Sequence, residues 1–282
     1  MSGRTTAAEL TAAPAPAPRA VPAAERERAR LWFLRALPWA TTAAILALWE
    51  LLARTGALPE EIPPVTGIAD AFLELAPEKP FVHALLATLE QAAVGLAFGA
   101  VAGIALGITV GAVPLLHRLL HYVLDFLRFV PAVVYLPLLL LLLGATPRVA
   151  TLLGAVGALW PTLFQAYYGV SGMDGVLRDS ARVFGLTGRQ RLLHVVLPTV
   201  TPFVATGVRI AASHVLVVVV AVEIISSVRG LGADIQVYAS NAVYPRMYAL
   251  VFVVGVLGVL VDVGLRLLER RWLRWHVSYR EG

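Results

Sequence analysis

A polar, arginine-rich segment lies between two long apolar stretches and carries the residues best suited to a specific interaction. It runs from Asp179 to Pro198 and includes Arg182, Arg189 and Arg191. The stretches on both sides reach the roughly 20 residues that a helix needs to cross a bilayer. Charged side chains are costly inside lipid, so this segment belongs outside the membrane. We therefore expect it to be bound by a soluble partner.

The spacing within this segment resembles the signature of bacterial ABC importer permeases. That signature is Glu-Ala-Ala, three residues, Gly, nine residues, and then Ile-x-Leu-Pro. Both intervals are kept here by Asp179, Ser180, Ala181, Gly185, Val195, Leu197 and Pro198.

The resemblance implies that residues 174–198 form a loop that couples the chain to a separate ATPase. Asp179 and Arg182 would meet the ATPase surface, and Ala181 and Gly185 would permit close packing. Pro198 would end the loop and start the next span. A structural alternative for Asp179 is the N-cap of a short helix, where a carboxylate accepts a backbone hydrogen bond.

The composition is that of an all-helical integral membrane protein. Apolar residues make up 59% of the 282 residues, and charged residues make up 15%. Prolines at positions 131 and 137 are expected to kink or break the third span. Six spans of membrane length are predicted, at residues 38–54, 84–112, 119–144, 149–173, 202–228 and 248–268.

The distribution of basic residues predicts that both termini are cytoplasmic. With that topology seventeen of the 23 Lys and Arg residues lie on the cytoplasmic side, five lie outside, and Arg209 lies within a span. Cytoplasmic loops of membrane proteins carry such an excess. The same topology places the segment 174–198 in the cytoplasm.

Composition also divides the chain into segments. Residues 1–36 form a basic tail that begins with a disordered stretch rich in Ala and Pro. Residues 37–82 contain the first span and an external segment, in which Ile68, Phe72 and Leu75 mark an amphipathic face. Residues 83–270 form the membrane core, and residues 271–282 form a cytoplasmic tail.

The resemblance extends over residues 58–270. Over this range the chain resembles the permeases for nitrate, taurine, aliphatic sulfonates and thiamine precursors. It rests on Leu58-Pro59, Thr88-Leu89, Trp160-Pro161 and the glycines of the Gly230–Ile235 turn. Gln91 is a departure, since that family often has Arg at this position.

This wider resemblance implies the fold, partners and location of the chain. The fold is the six-helix bundle of a type I ABC importer permease. The partners are two ATPase subunits that bind ATP-Mg, a second copy of the chain in a homodimer, and an extracytoplasmic substrate-binding protein. The location is the bacterial cytoplasmic membrane, and the substrate is a sulfonate or taurine, nitrate, or a pyrimidine precursor.

Glycines recur at every fourth position of the second predicted span. They are Gly95, Gly99, Gly103, Gly107 and Gly111. Small residues at such spacing allow membrane helices to approach closely. We favour packing within the chain over a dimer interface. Because four residues advance about 40° beyond a full turn, we expect the stripe to wind toward more than one neighbour.

Ionisable residues within the spans are costly and are therefore candidates for function. We expect Asp125, Arg128 and Asp262 to lie near the membrane surface. Glu223, His214 and Arg209 are the candidates for the translocation path. A structural role for Glu223 is equally consistent with the sequence, and histidines on apolar faces are more often packed and hydrogen-bonded. The remaining two ionisable residues are Glu50 and Glu90.

The sequence argues against catalysis by this chain. A phosphate-binding loop needs a Lys after a glycine-rich turn, but the one lysine, Lys79, precedes a proline on the predicted outer side. No motif for a hydrolase nucleophile or a zinc site is present, there are no cysteines, and the basic residues do not form a nucleic-acid-binding face.

Two other classes of function remain as alternatives. A secondary transporter or channel would use the buried acidic residues for ion coupling. An intramembrane enzyme would need a shared polar site, but His214 and Glu223 fall about 180° apart on one helix.

Overall fold

The structure, a computed structural model, describes residues 23–272, with side chains for residues 32–271. The predicted tail residues 1–22 and 273–282 lie outside the described residues. The chain divides into two compact units, Met1–Ala57 and Leu58–Gly282. This boundary splits the expected segment 37–82. The first unit contains helix α1, Ala23–Arg54, in which Glu50 and Arg54 form an ion pair at 2.5 Å.

The described part of the second unit consists of helices joined by turns and short loops, without a strand. Its short elements include a 3₁₀ helix at Ala132–Tyr135 and a π turn at Leu192–Val196. Its α-helices are α2 (Val65–Leu75), α3 (Lys79–Ala112), α4 (Pro114–Leu127), α5 (Leu136–Leu143), α6 (Pro147–Ser171), α7 (Gly175–Val183), α8 (Gly188–Arg191), α9 (Leu197–Ser226), α10 (Leu231–Ser240) and α11 (Tyr244–Trp272).

Helices α3 and α6 pack along their lengths through the glycine stripe. Gly95 lies against Thr151, Gly103 against Leu159 and Thr162, and the last glycine of the stripe against Val170, so the two helices run parallel. The favoured packing within the chain is confirmed. The expectation of more than one neighbour is wrong, because all five glycines face α6. A repeat longer than 3.6 residues stays on one shared face when two helices coil around each other in the right-handed sense.

The third span is broken, as its prolines predict. The axis turns by 83° between α4 and the helical segment 132–143. Pro131 interrupts the helix because it lacks an N–H, whereas Pro137 lies in the first turn of α5, where no N–H is needed. Since α3 and α6 are parallel spans, the chain between them crosses back once. The bent pair is therefore one span, and the described residues contain six.

The remaining helices define two ends of the second unit. Contacts of Gly154 with Val219 and of Gly169 with Val200 show that α9 runs antiparallel to α6. Helix α11 runs antiparallel to α9, because Gly258 lies near Leu216 and the last turns of α11 reach the first half of α9. The ends of α3, α6 and α11 therefore lie together with α7, α8 and the start of α9. We call this the coupling end.

The predicted amphipathic segment forms α2 at the opposite end. Ala71 and Leu75 are buried in a cluster with Leu250 at the start of α11. Arg246 of α11 also contacts the Glu74 carboxylate at 3.3 Å. Helix α2 is thus anchored to the membrane core at the end away from α7 and α8.

Candidate functional site

Helix α7 opens the segment at the coupling end. The Asp174 carboxylate accepts a hydrogen bond from the Val176 N–H at 2.9 Å, so Asp174 is the N-cap. The N-cap alternative for Asp179 is therefore wrong, because the helix starts one turn earlier. Asp179 instead forms an exposed ion pair with Arg182 at 3.1 Å.

Gly185 ends α7 in a left-handed conformation with φ +66°. The Leu186 N–H donates to the Ala181 carbonyl at 3.2 Å, and the Gly185 N–H donates to the Arg182 carbonyl at 2.9 Å. These two bonds form a Schellman motif, which favours glycine. No atom lies within 4 Å of a Cβ added at Gly185. Gly185 is therefore required by the turn and not by packing within the described part of the chain, whereas Ala181 is buried.

The next helix continues directly into the membrane span. Thr187 and Gln190 form a capping box at its start. The Leu197 N–H bonds to the Leu192 carbonyl in a π turn, so the helical path runs from Gly188 to Ser226. Pro198 lies inside this path, because the wider π turn accommodates a residue without an N–H. The helix therefore extends ten residues before Pro198, within the segment expected as a loop.

The surface of α7 combines charges with uncovered apolar side chains. Val183 is 86% exposed and Phe184 is 80% exposed, and Val176 is also exposed. They accompany the Asp179–Arg182 pair. Exposed apolar residues next to charges are typical of a surface that binds another protein. Within the described part of the chain nothing covers these residues.

Glu223 lies in a buried network that ties three parts of the chain together. Its carboxylate accepts hydrogen bonds from the Thr88 hydroxyl at 2.9 Å, the Gln91 amide at 3.3 Å and the Gly232 N–H at 2.9 Å. The Thr88 oxygen accepts from the Leu231 N–H at 2.9 Å. The side chain is fully buried. The network thus joins α9 to α3 and to the start of α10.

The turn between α9 and α10 is shaped around this carboxylate. A Cβ added to Gly230 or Gly232 would overlap Glu223 atoms. Gln91 also donates to the Arg229 carbonyl at 2.9 Å. Outside the spans, burial raises the pKa of the Asp234 carboxyl, and the charge of Arg229 partly offsets this rise. Gln91, at the position where the resembled family often has Arg, is a member of the Glu223 network through its two hydrogen bonds.

The other predicted path residues lie in different surroundings. Arg209 forms an ion pair with the buried Glu269 of α11 at 3.6 Å, which links α9 to α11. His214 is exposed on the surface of this chain, so the expectation of a packed histidine is wrong. The structure does not bring Glu223, Arg209 and His214 together.

His214 lines a cavity halfway along α6 and α9, beside the break in the third span. We call it the central cavity; its volume is about 520 Å³. The Arg128 guanidinium lies 4.9 Å from the centre of the Phe164 ring. Phe164 is seven residues before the end of α6, or about 10 Å at 1.5 Å per residue. Six of the residues that line the central cavity are Arg128, Trp160, Phe164, Gln165, His214 and Val217.

Arg128 and Gln165 are site residues that the sequence analysis missed. Arg128 was expected near the membrane surface, and it lines the central cavity instead. Its position three residues before Pro131 was the available signal, since a break inside a span exposes a backbone that must be satisfied.

Comparison with known families gives an independent result. Residues 95–274 match the family model described as binding-protein-dependent transport system inner membrane component. This range covers more than half of the chain.

Individual relatives match over most of their lengths. The chain is 31% identical over 249 residues to the putative aliphatic sulfonates transport permease protein SsuC of Escherichia coli (strain K12), covering 88% of this chain and 95% of that protein. It is 29% identical to the taurine transport system permease protein TauC of the same strain, covering 84% and 88%. It is also 29% identical to the bicarbonate transport system permease protein CmpB of Synechococcus elongatus, covering 84% and 89%.

The fold has a solved counterpart. A chain of the MetNI methionine ABC transporter in an inward-facing conformation superposes with a TM-score of 0.60. The match covers 68% of this chain and 95% of that chain, at 19% identity. The expected all-helical importer-permease fold is confirmed.

Proposed function

This chain belongs to the family of binding-protein-dependent transport system inner membrane components, and from that premise we propose how it couples to ATP and what it carries. It is a non-catalytic, multi-pass permease subunit of an ABC importer in the inner membrane. We propose that it pairs with a second copy of itself around the path. Two ATPase subunits bind the coupling end, and an external binding protein delivers the substrate.

The surface of α7 carries this proposal. An N-cap and a Schellman motif stabilise the two ends of α7, and a capping box stabilises the start of α8. The segment 174–198 therefore keeps its shape without a partner. Its exposed apolar and charged residues would seat in an ATPase groove. A preformed protruding element of this kind binds with little ordering cost.

Coupling would pass along one continuous helical path. Closure of the ATPase pair on ATP would pull the two coupling ends together. Because the helical path from Gly188 to Ser226 has no loop at the membrane boundary, movement of α8 would tilt α9. Its far end is held to α3 and α10 by the Glu223 network, so the tilt would rearrange the opposite end as well. The path would then alternate between inward-open and outward-open states.

For the substrate we propose a small solute that carries an oxyanion group. The relatives named above are permeases for aliphatic sulfonates, taurine and bicarbonate. A sulfonate or bicarbonate group carries negative charge on oxygen atoms. Among the classes expected from the sequence, sulfonate or taurine transport is therefore favoured over transport of a pyrimidine precursor.

Substitution of Gly185 tests the coupling proposal. A β-branched Val cannot hold φ +66° without strain, so Gly185→Val should disrupt the Schellman motif. We expect co-purification of the ATPase to fall at least tenfold while the permease still inserts. Gly188→Ala is the matched control, because Gly188 lies on the same segment with open space around it and no positive φ. Full ATPase recovery with Gly185→Val would refute the assignment of this segment.

A further inference from the structure

We propose that the central cavity is a binding station for a small organic anion on the translocation path. Arg128 would bind the charged head, and the aromatic side chains would contact an apolar body. The inference rests on the proposed function, because it assigns a position and residues to the proposed solute.

The position of the cavity favours a solute site over a lipid-facing groove. It lies halfway along α6 and α9, where the third span is broken between α4 and the 3₁₀ helix. Non-helical backbone within a membrane is tolerated where it lines a solvated cavity or is buried in protein. Interrupted spans are also common at transporter binding sites.

The charge of the cavity selects an anion. Arg128 lines it, whereas Asp125, the ion-pair partner of Arg128 at 3.5 Å, does not. This contact engages one of the five N–H donors of the guanidinium. Among the described residues that line the cavity there is no carboxylate, and Gln165 and His214 add polar groups. By contrast, the cavity at the opposite end that contains Arg148 and Arg229 also contains Glu90.

Two aromatic rings lie close to the Arg128 guanidinium. Arg128 lies 4.9 Å from the ring centres of both Phe129 and Phe164. A guanidinium that stacks flat on an aromatic ring keeps its N–H edge available. That edge matches two oxygens of a sulfonate or carboxylate. Trp160 and Tyr168 supply apolar surface for the rest of the solute.

Cysteine labelling tests this inference without knowledge of the natural substrate. The chain has no cysteine, so Val217→Cys places a single thiol in the central cavity. The probes are anionic 2-sulfonatoethyl methanethiosulfonate and cationic 2-(trimethylammonium)ethyl methanethiosulfonate. Both label the full-length chain, co-expressed with its ATPase and held in nanodiscs. We expect the anionic-to-cationic rate ratio, normalised to free cysteine, to exceed one.

Variants of Arg128 identify the source of the preference. Arg128→Gln should lower the ratio about 25-fold, because one unit charge about 4 Å away in water changes each rate about fivefold and in opposite directions for the two probes. Arg128→Lys should retain most of it, and Arg148→Gln, in the other cavity, should leave it unchanged. A ratio that is unchanged by Arg128→Gln, or a lower anionic than cationic rate in the parent, would overturn the inference. ATPase co-purification with each variant separates this outcome from failure of the proposed function, since Arg128 lies outside α7 and α8.

A change in lipid composition distinguishes a cavity that binds a solute from one that binds an anionic lipid headgroup. The anionic-to-cationic rate ratio is measured in phosphatidylcholine nanodiscs and in nanodiscs that contain phosphatidylglycerol. An exposed control thiol corrects each ratio for the surface potential of the membrane. The two corrected ratios should agree within about twofold. Loss of the anionic preference only with phosphatidylglycerol would assign the cavity to lipid and overturn the solute site.

Discussion

At the residue scale, Glu223 shows how one buried carboxylate organises the end of the bundle opposite α7 and α8. Thr88, Gln91 and Gly232 all donate to it, although Thr88 and Gln91 precede it by more than 130 residues. A buried charge is tolerated when such donors surround it. We infer a structural role for Glu223, which the sequence left equal with a role in the path.

Glu223→Gln tests this role. The amide nitrogen cannot accept, so at least one donor loses its partner, which costs about 1–3 kcal/mol. We expect a lower melting temperature and yield of the purified permease. Glu90→Gln is the control, because Glu90 is exposed on the adjacent turn of α3, and it should change neither quantity. An unchanged melting temperature together with loss of uptake would instead assign Glu223 to the path.

The sequence could identify Glu223 as important but not its partners. An acidic residue within an apolar stretch is visible in the sequence itself. Its donors come from α3 and from the turn before α10, and no local pattern pairs segments so far apart. The same limit explains His214 and Arg209, which lie five residues apart but have unrelated surroundings.

At the element scale, the contact between α3 and α6 depends on the absence of side chains. A Cβ added at Gly103 would overlap the Thr162 hydroxyl and lie close to the Leu159 carbonyl oxygen. The backbone of α6 cannot move away without disturbing its other contacts, because Gly154 and Gly169 hold α9 on another side. The glycine stripe of α3 and the two glycines of α6 together fix the spacing of three helices.

Gly103→Ala should therefore destabilise the permease. In an unpacked helix the same change stabilises by about 1 kcal/mol, because Ala is the better helix former. Gly264→Ala on α11 provides that reference, since nothing lies within 4 Å of its added Cβ. Melting temperatures in one detergent should fall for Gly103→Ala and rise or stay equal for Gly264→Ala. Equal shifts for both variants would contradict the close packing.

The spans themselves were largely predictable, because hydropathy is a local property. The predicted range 149–173 corresponds to α6 at Pro147–Ser171, and 84–112 corresponds to α3 at Lys79–Ala112. Pro198 lies in the first turn of α9, as the resemblance implied, but the helical path continues back to Gly188. Here the π turn carries the helix through Pro198, which depends on the backbone geometry of residues 192–196.

At the scale of the whole molecule, the proposed orientation places the coupling end in the cytoplasm. The coupling end contains α7 and α8, and Ser240 at the end of α10 precedes the start of α11 at the opposite end. Single cysteines at Val183 and Ser240 should therefore react from opposite sides. In intact cells an impermeant maleimide should label position 240, and position 183 only after permeabilisation. The reverse pattern would overturn the orientation inferred from the basic residues.

The central claim is that the surface of α7 binds the ATPase, and site-specific photocrosslinking tests it most directly. A benzophenone amino acid would replace Phe184, which is 80% exposed, or Val237 on α10, which is 55% exposed. Both variants would be expressed with the ATPase and irradiated in membranes. We predict a permease–ATPase adduct from position 184 and none from position 237. Absence of an adduct at position 184, or equal adducts at both positions, would contradict the claim.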